Sequence, residues 1–126
     1  MGKRKASRKT LIKKLDKIVS EYIRERDQKC VQCGKVDTLT NGHVFSRRHY
    51  SLRWDIRPDG NCHCQCWSCN YKHSFDNYDY YLWFQNKFGK DKFESMRFEY
   101  KQSKKFTNIE LENLYEIIKA KKREIS

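Results

Sequence analysis

Two Cys-x-x-Cys pairs, "CVQC" at 30–33 and "CWSC" at 66–69, constrain this chain more than any other feature of its sequence. The spacing lets two thiolates grip one ion while backbone amides support the sulfurs, and two such knuckles complete a tetrahedral zinc site. The expected structural zinc ligands are therefore Cys30, Cys33, Cys66 and Cys69. Positions 34 to 65 separate the knuckles, more than the ~15 to 20 residues of a simple ribbon. Zinc would then tie together the two ends of an inserted element long enough for a hairpin and a loop. Cys62 and Cys64 exceed what a four-coordinate site can take. If 61 to 66 is extended, alternation puts Cys62, Cys64 and Cys66 on one face and Asn61, His63 and Gln65 on the other. The two extra cysteines then read as small buried hydrophobes beside the zinc, and the polar face as the place where chemistry could sit.

Six cysteines without a secretory signal point to a reducing compartment and to metal binding rather than a disulfide framework. Charge narrows the partner: 28 Lys and Arg against 16 Asp and Glu leave +12, which suits an acidic polymer. Nucleic acid comes ahead of an anionic membrane surface, because no apolar run approaches the ~20 residues needed to span a bilayer. A soluble, cytoplasmic protein is expected. The chain of 126 residues is sized for one compact domain, and 14% aromatic content argues against disorder despite the polarity.

The opening "MGKRKASRK" is a basic tail suited to phosphates. From Ser7 or Thr10, Leu11, Ile12, Leu15, Ile18, Val19, Tyr22 and Ile23 recur at helical spacing, predicting a helix that ends near Arg26. Its other face carries Lys13, Lys14, Lys17 and Arg24. Residues 30 to 69 hold Pro58, Gly34, Gly42 and Gly60 and predict turns with short strands around 43–46 and 61–65. Helical patterning returns after Cys69, with Asp76 as a cap, Tyr80, Tyr81, Trp83, Phe84 and Phe88 in the helix, and Gly89 as a left-handed stop. Phe93, Met96, Phe98 and Tyr100 predict a further short helix. "TNIE" at 107–110 matches a capping box ahead of Leu111, Leu114, Ile117 and Ile118. The expected fold is α+β and mostly helical, divided as 1–28 tail and helix, 29–76 zinc-bound core and 77–126 C-terminal helices. Trp54, Trp67 and Trp83 read as core, with Tyr50 and Tyr71 able to stack on bases if exposed.

Between and just beyond the knuckles lie "GHVFSR", "LRWD", "NCHCQCWSCN" at 61–70 and "YLWFQNKFG" at 81–89, with the order His43, Asn61, then Asn70 and His73. This combination resembles the HNH or ββα-metal nucleases, and among them the phage NinG/Rap recombination endonuclease family, over roughly residues 20 to 115. The zinc-framed layout is shared more distantly with phage endonuclease VII. The resemblance implies a zinc-stapled ββα-metal core, a hairpin histidine as base and metal ligands on the following helix. His43 would be the base, neutral at pH 7 because a free histidine titrates near ~6.5. Asn70 and His73 would share a catalytic Mg²⁺ or Mn²⁺, Asn61 would orient the histidine loop, and His63 would either support the metal ligands from behind or be an alternate ligand. Arg47, Arg48 and Arg53 would clamp phosphates, with Lys72 beside them.

Gly42 stands where many HNH enzymes carry a ligand next to the base. Either the missing ligand comes from Asp55, His63 or His49, or His43 is itself a ligand. The implied activity is a metal-dependent endonuclease acting on branched recombination intermediates such as Holliday junctions or flaps, from a phage or prophage. Cutting two strands symmetrically would need a homodimer, with 78–88 and 107–123 as candidate interfaces. An HNH nicking enzyme on ordinary duplex and a non-catalytic zinc-ribbon DNA-binding module are the alternatives.

Overall fold

The computed structural model describes residues 7–126 and builds them from five helices and a two-stranded antiparallel sheet. Residues 1–6 of the basic tail lie outside the described residues. Helix α1 (Arg8–Asp27) begins where the Ser7 hydroxyl accepts the Thr10 amide at 3.1 Å, satisfying a first-turn donor that has no partner within the helix. Its stripe of Leu11, Leu15, Ile18, Val19 and Ile23 is buried. Helix α5 (Asn108–Ile125) opens with the expected Thr107–Glu110 capping box and packs Leu111 and Ile118 onto that stripe.

Strands β1 (Leu39–His43) and β2 (Cys62–Cys66) pair with His43 opposite Cys62 and Leu39 opposite Cys66. The first strand therefore precedes the 43–46 segment expected from sequence, and Asn61 is the reason. Beyond His43, the Val44 amide bonds the Asn61 carbonyl at 2.8 Å, and the Phe45 amide bonds the Asn61 side-chain oxygen at 2.7 Å. A carboxamide in place of a strand partner ends the ladder there. Helix α2 (Trp67–His73) follows β2 without a gap, Cys66 serving as its N-cap residue.

The hairpin lies between two helical layers. On one side Cys62 and Cys64 join the α1–α5 core with Trp54. On the other, His63 packs against Trp83, Phe84 and Phe88 of helix α3 (Tyr78–Phe88), and the Tyr80 hydroxyl donates to the Gly42 carbonyl at 2.8 Å. Every residue of β2 is buried, so the polar face of this strand is not the reactive surface that alternation suggested; α3 covers it. Gly89, with φ 94° and ψ 151°, joins α3 to helix α4 (Lys90–Lys101). It takes the positive φ foreseen for a glycine stop, but with an extended ψ. The expected Asp76 cap is one residue early: Asn77 holds the N-cap position, while the Asp76 carboxylate accepts the Tyr78 amide at 3.2 Å. Phe84, Phe93 and Met96 bury Val44, Phe45 and Leu52 in a second core.

The end of α1 is bolted to β2 by polar contacts. Arg26 donates to the carbonyls of Ile56 at 2.9 Å and Cys62 at 3.0 Å, and Asp27 accepts the Cys64 amide at 2.9 Å. No helix among the described residues is long and apolar enough to cross a membrane.

Gly42 answers a steric demand. A β-carbon there would stand 2.0 Å from Gln65 Oε1 and 2.7 Å from its Cγ, and Gln65 is fully buried. Gly42→Ala is expected to lower stability by about 1–3 kcal/mol through overpacking, read as a lower urea midpoint, with part of the loss recovered when Gln65→Ala is added.

Candidate functional site

The four sulfurs of Cys30, Cys33, Cys66 and Cys69 lie within 4.8 Å of one another, and Cys33 Sγ is 3.7 Å from Cys66 Sγ. That separation matches the ~3.8 Å edge of a tetrahedron with Zn–S near ~2.3 Å. It is far beyond the ~2.05 Å of a disulfide. The residues fit zinc, and the backbone prepares them: Gly34 takes φ 79° to turn the first knuckle, and the Gly34 amide bonds the Cys30 carbonyl at 2.9 Å. Burial raises the Cys30 thiol, but backbone amides of Cys66, Cys33 and Gln32 outweigh it and bring the group down to about 7, within reach of the thiolate a metal needs. Cys62 and Cys64 lie outside the cluster, as expected of small buried hydrophobes. Burial pushes both thiols up, Cys64 to about 12.

Beside this centre, a cleft of about 540 Å³ brings together Asn41, His43, Arg47, Asn70 and His73. Arg47 is exposed. His43 Nε2 lies 2.9 Å from the Arg53 carbonyl. A carbonyl only accepts, so Nε2 carries the proton and Nδ1 keeps its lone pair. Burial lowers the imidazole to about 4, so the ring is neutral near pH 7. His73 repeats the device from α2, with Nε2 2.9 Å from the Val44 carbonyl. Its Nδ1 is buried and unpartnered, and so is Asn41 Oδ1. Both atoms are acceptors, and a buried acceptor without a donor or cation is costly. Asn70 spends its amide hydrogen on Thr40 Oγ1 at 2.9 Å, leaving its oxygen as the remaining donor of electrons.

Other residues expected in the site do different work. Asn61 lies outside the cleft: its amide donates to the Phe45 carbonyl at 2.9 Å and the Leu52 carbonyl at 3.1 Å, fixing the segment after His43. His63 is sealed under α3 with Nε2 2.6 Å from the Gly60 carbonyl, which removes it as an alternate ligand. Asp55 lies outside the cleft and accepts from Arg57 at 2.8 Å and from the Asn61 backbone amide at 3.0 Å. His49 is exposed, edge-on to Tyr100. Arg53 is not free for phosphate: its guanidinium bonds Asp16 at 2.6 and 3.0 Å. Arg48 is exposed, and exposed Lys72 pairs with Asp79. Trp54 is core as expected, whereas Trp67 is exposed.

The family described as Bacteriophage Lambda NinG protein matches residues 2–126. The chain belongs to the NinG family. No curated protein and no solved structure matches it. In this NinG-family chain, sequence reasoning overlooked Asn41 and Asp16. Asn41 shares a strand face with His43, two positions on, so alternation could have found it. Asp16 gives no local signal. Its carboxylate accepts from Arg53 and from Trp54 Nε1 at 2.8 Å, and those bonds outweigh burial to hold it below the usual carboxylate range. It thereby anchors the residue whose carbonyl fixes His43.

Cys66→Ser is expected to release zinc and unfold the hairpin, since structural zinc contributes on the order of 10 kcal/mol in small peptides; metal content and far-UV circular dichroism measure both. Burial also holds His63 at about 4 in the fold, below the ~6.5 of an unfolded histidine. Its contribution is present above pH ~6.5 and lost as pH falls toward ~4. His63→Phe, which keeps a ring under α3, should flatten the acid loss of stability in urea titrations relative to the parent.

Proposed function

We propose that this chain is a metal-dependent endonuclease with an HNH-like, ββα-metal site, hydrolysing phosphodiesters in branched DNA such as Holliday junctions or flaps. One observation carries the proposal: a neutral imidazole with its Nε2 proton tied to a carbonyl shares a cleft with two buried, unpartnered acceptors from different elements. A binding module has no reason to leave Asn41 Oδ1 and His73 Nδ1 unsatisfied beside such a ring.

The residues that would hold a catalytic cation are Asn41, Asn70 and His73. When bound, Mg²⁺ or Mn²⁺ supplies stabilisation for the charge that develops on the phosphate and its leaving oxygen. His43 Nδ1 accepts the proton of the attacking water, and the Arg53 carbonyl steadies the imidazolium that results. Arg47 at the rim and exposed Arg48 neutralise the phosphates of the strand. Asn61 keeps the histidine segment in register with β2. Membership of the phage NinG family supports the choice of a branched substrate. One cleft per chain makes a homodimer the economical form for cutting two strands of a four-way junction.

The test is a panel of labelled four-way junction, flap and linear duplex, each with Mg²⁺, Mn²⁺ or no added cation. His43→Ala is expected to keep zinc, fold and DNA affinity while losing roughly 10²–10⁴-fold in cleavage rate. Cleavage at the parental rate would remove His43 as the base; no cleavage by the parent under any condition leaves a zinc-stapled binding module. Arg48→Ala should lower the slope of log affinity against log salt by ~0.9 on duplex arms.

A further inference from the structure

Trp67, Tyr71 and Phe75 stand at i, i+4 and i+8 along α2 and the turn beyond it, and they are 59%, 58% and 70% exposed. Trp67 and Tyr71 lie parallel, with centroids 5.0 Å apart and 8° between planes. Phe75 meets Tyr71 edge-on at 5.5 Å and 72°. None of the three belongs to either core. Large apolar side chains left together on a surface mark a binding site. Its shape limits the occupant. The file is one ring wide, with exposed Ser68, Lys72 and Ser74 beside it, and so lacks the broad apolar area, about 800 Å² per partner, of a stable subunit contact. What a narrow file of flat rings accepts is other flat rings.

Position and charge point the same way. The helix that turns Asn70 and His73 into the cleft turns these rings onto the adjoining face. Ser74, the C-cap residue of α2 and about two turns beyond Trp67 on the same side, lines the cleft itself. Helix α2, "WSCNYKH", carries no carboxylate; Asp76 follows Phe75 and Lys72 is paired with Asp79, so the positive charge that favours a strand here is that of the chain as a whole, +12. We propose that Trp67, Tyr71 and Phe75 form a stacking platform for unpaired nucleobases of a DNA strand whose backbone enters the cleft. This rests on the DNA-binding half of the function proposed above and not on cleavage. Every base has a π-face, so such a platform is tolerant of sequence and favours strands that are open, as at a branch point.

The full zinc-loaded chain carrying His43→Ala, so that nothing is cut, is titrated by fluorescence anisotropy with labelled oligothymidine and with an abasic strand of equal length and charge. Oligothymidine is expected to bind tighter. Tyr71→Leu and Trp67→Leu, which keep an apolar side chain but remove the π-face, should each reduce that preference by roughly five- to a hundredfold, the range for losing one base stack, while Tyr71→Phe retains it. Equal affinity for the two strands, or a preference untouched by both leucine variants, overturns the platform. A change from dimer to monomer on sedimentation of Tyr71→Leu, with the preference intact, overturns it in favour of a subunit contact. Base preference in a chain whose unsubstituted form cuts no DNA keeps the platform and removes the nuclease; cleavage without base preference does the reverse.

Discussion

Cys66 is at once the last residue of β2, the N-cap residue of α2 and one of the four clustered sulfurs, so a metal held by that cluster would sit on the joint between strand and helix. Fixing that sulfur fixes the angle at which α2 leaves the hairpin. Without it, a seven-residue helix with no buried residue of its own has little to hold it, because short helices are marginal unless packed or pinned. The first knuckle and the turn after it supply the other half of the pin: the Val31 amide bonds the Cys64 carbonyl at 2.9 Å, and the Trp67 amide bonds the carbonyl of Thr38, just before β1, at 2.8 Å. Sulfurs and backbone thus hold the same joint from two sides. The cleft between β1 and α2 exists because that joint is rigid.

Within the cleft, the orientation of His43 depends on a chain of contacts that reaches α1. Asp16 holds the Arg53 guanidinium and the Trp54 indole. The Arg53 carbonyl then accepts the His43 Nε2 proton. Removing a link leaves a buried polar group unsatisfied, which costs more than the bond contributes in isolation. The imidazole is consequently held in one tautomer by elements far apart in sequence, and α1, though it does not line the main cleft, belongs to its construction.

Helices were legible in the sequence because their signals are local. Ser7, Thr107 with Glu110, and the three-four spacing of α1 and α5 each decide their element within a few residues. The cysteine knuckles were legible for the same reason. The hairpin was displaced because its end is set by the side chain of Asn61 acting across the fold, which no propensity encodes. Arg53 read as a phosphate clamp through the nuclease resemblance and the bidentate shape of its guanidinium; the acid that takes it, Asp16, lies 37 positions away. Trp67 read as core by composition, yet the inward side of α2 is spent on Cys69, Asn70 and His73, and the ring is left outside.

Gly42 stands where the HNH resemblance leads one to expect a ligand, and packing accounts for the glycine. Alternation turns position 42 toward Gln65 and α3, away from the face that carries Asn41 and His43, so any side chain there would enter a filled space. The strand's available oxygen is at Asn41 instead. On the proposed function, this leaves a set of neutral donors, Asn41, Asn70 and His73, in a cleft lined by no carboxylate. Neutral donors offset little of the charge of a divalent cation, and hard cations are commonly completed by substrate phosphates. Cation and DNA strand would then bind as a mutually supporting pair, the phosphate providing the negative charge that the protein withholds. Linkage makes the effect reciprocal, so each strengthens the other's affinity by the same factor. On the same reading, a chain of +12 would gain from this arrangement, since the cleft itself adds no carboxylate to oppose a DNA strand, and Asp16 nearby is engaged by Arg53 and lies 4.0 Å from Arg47.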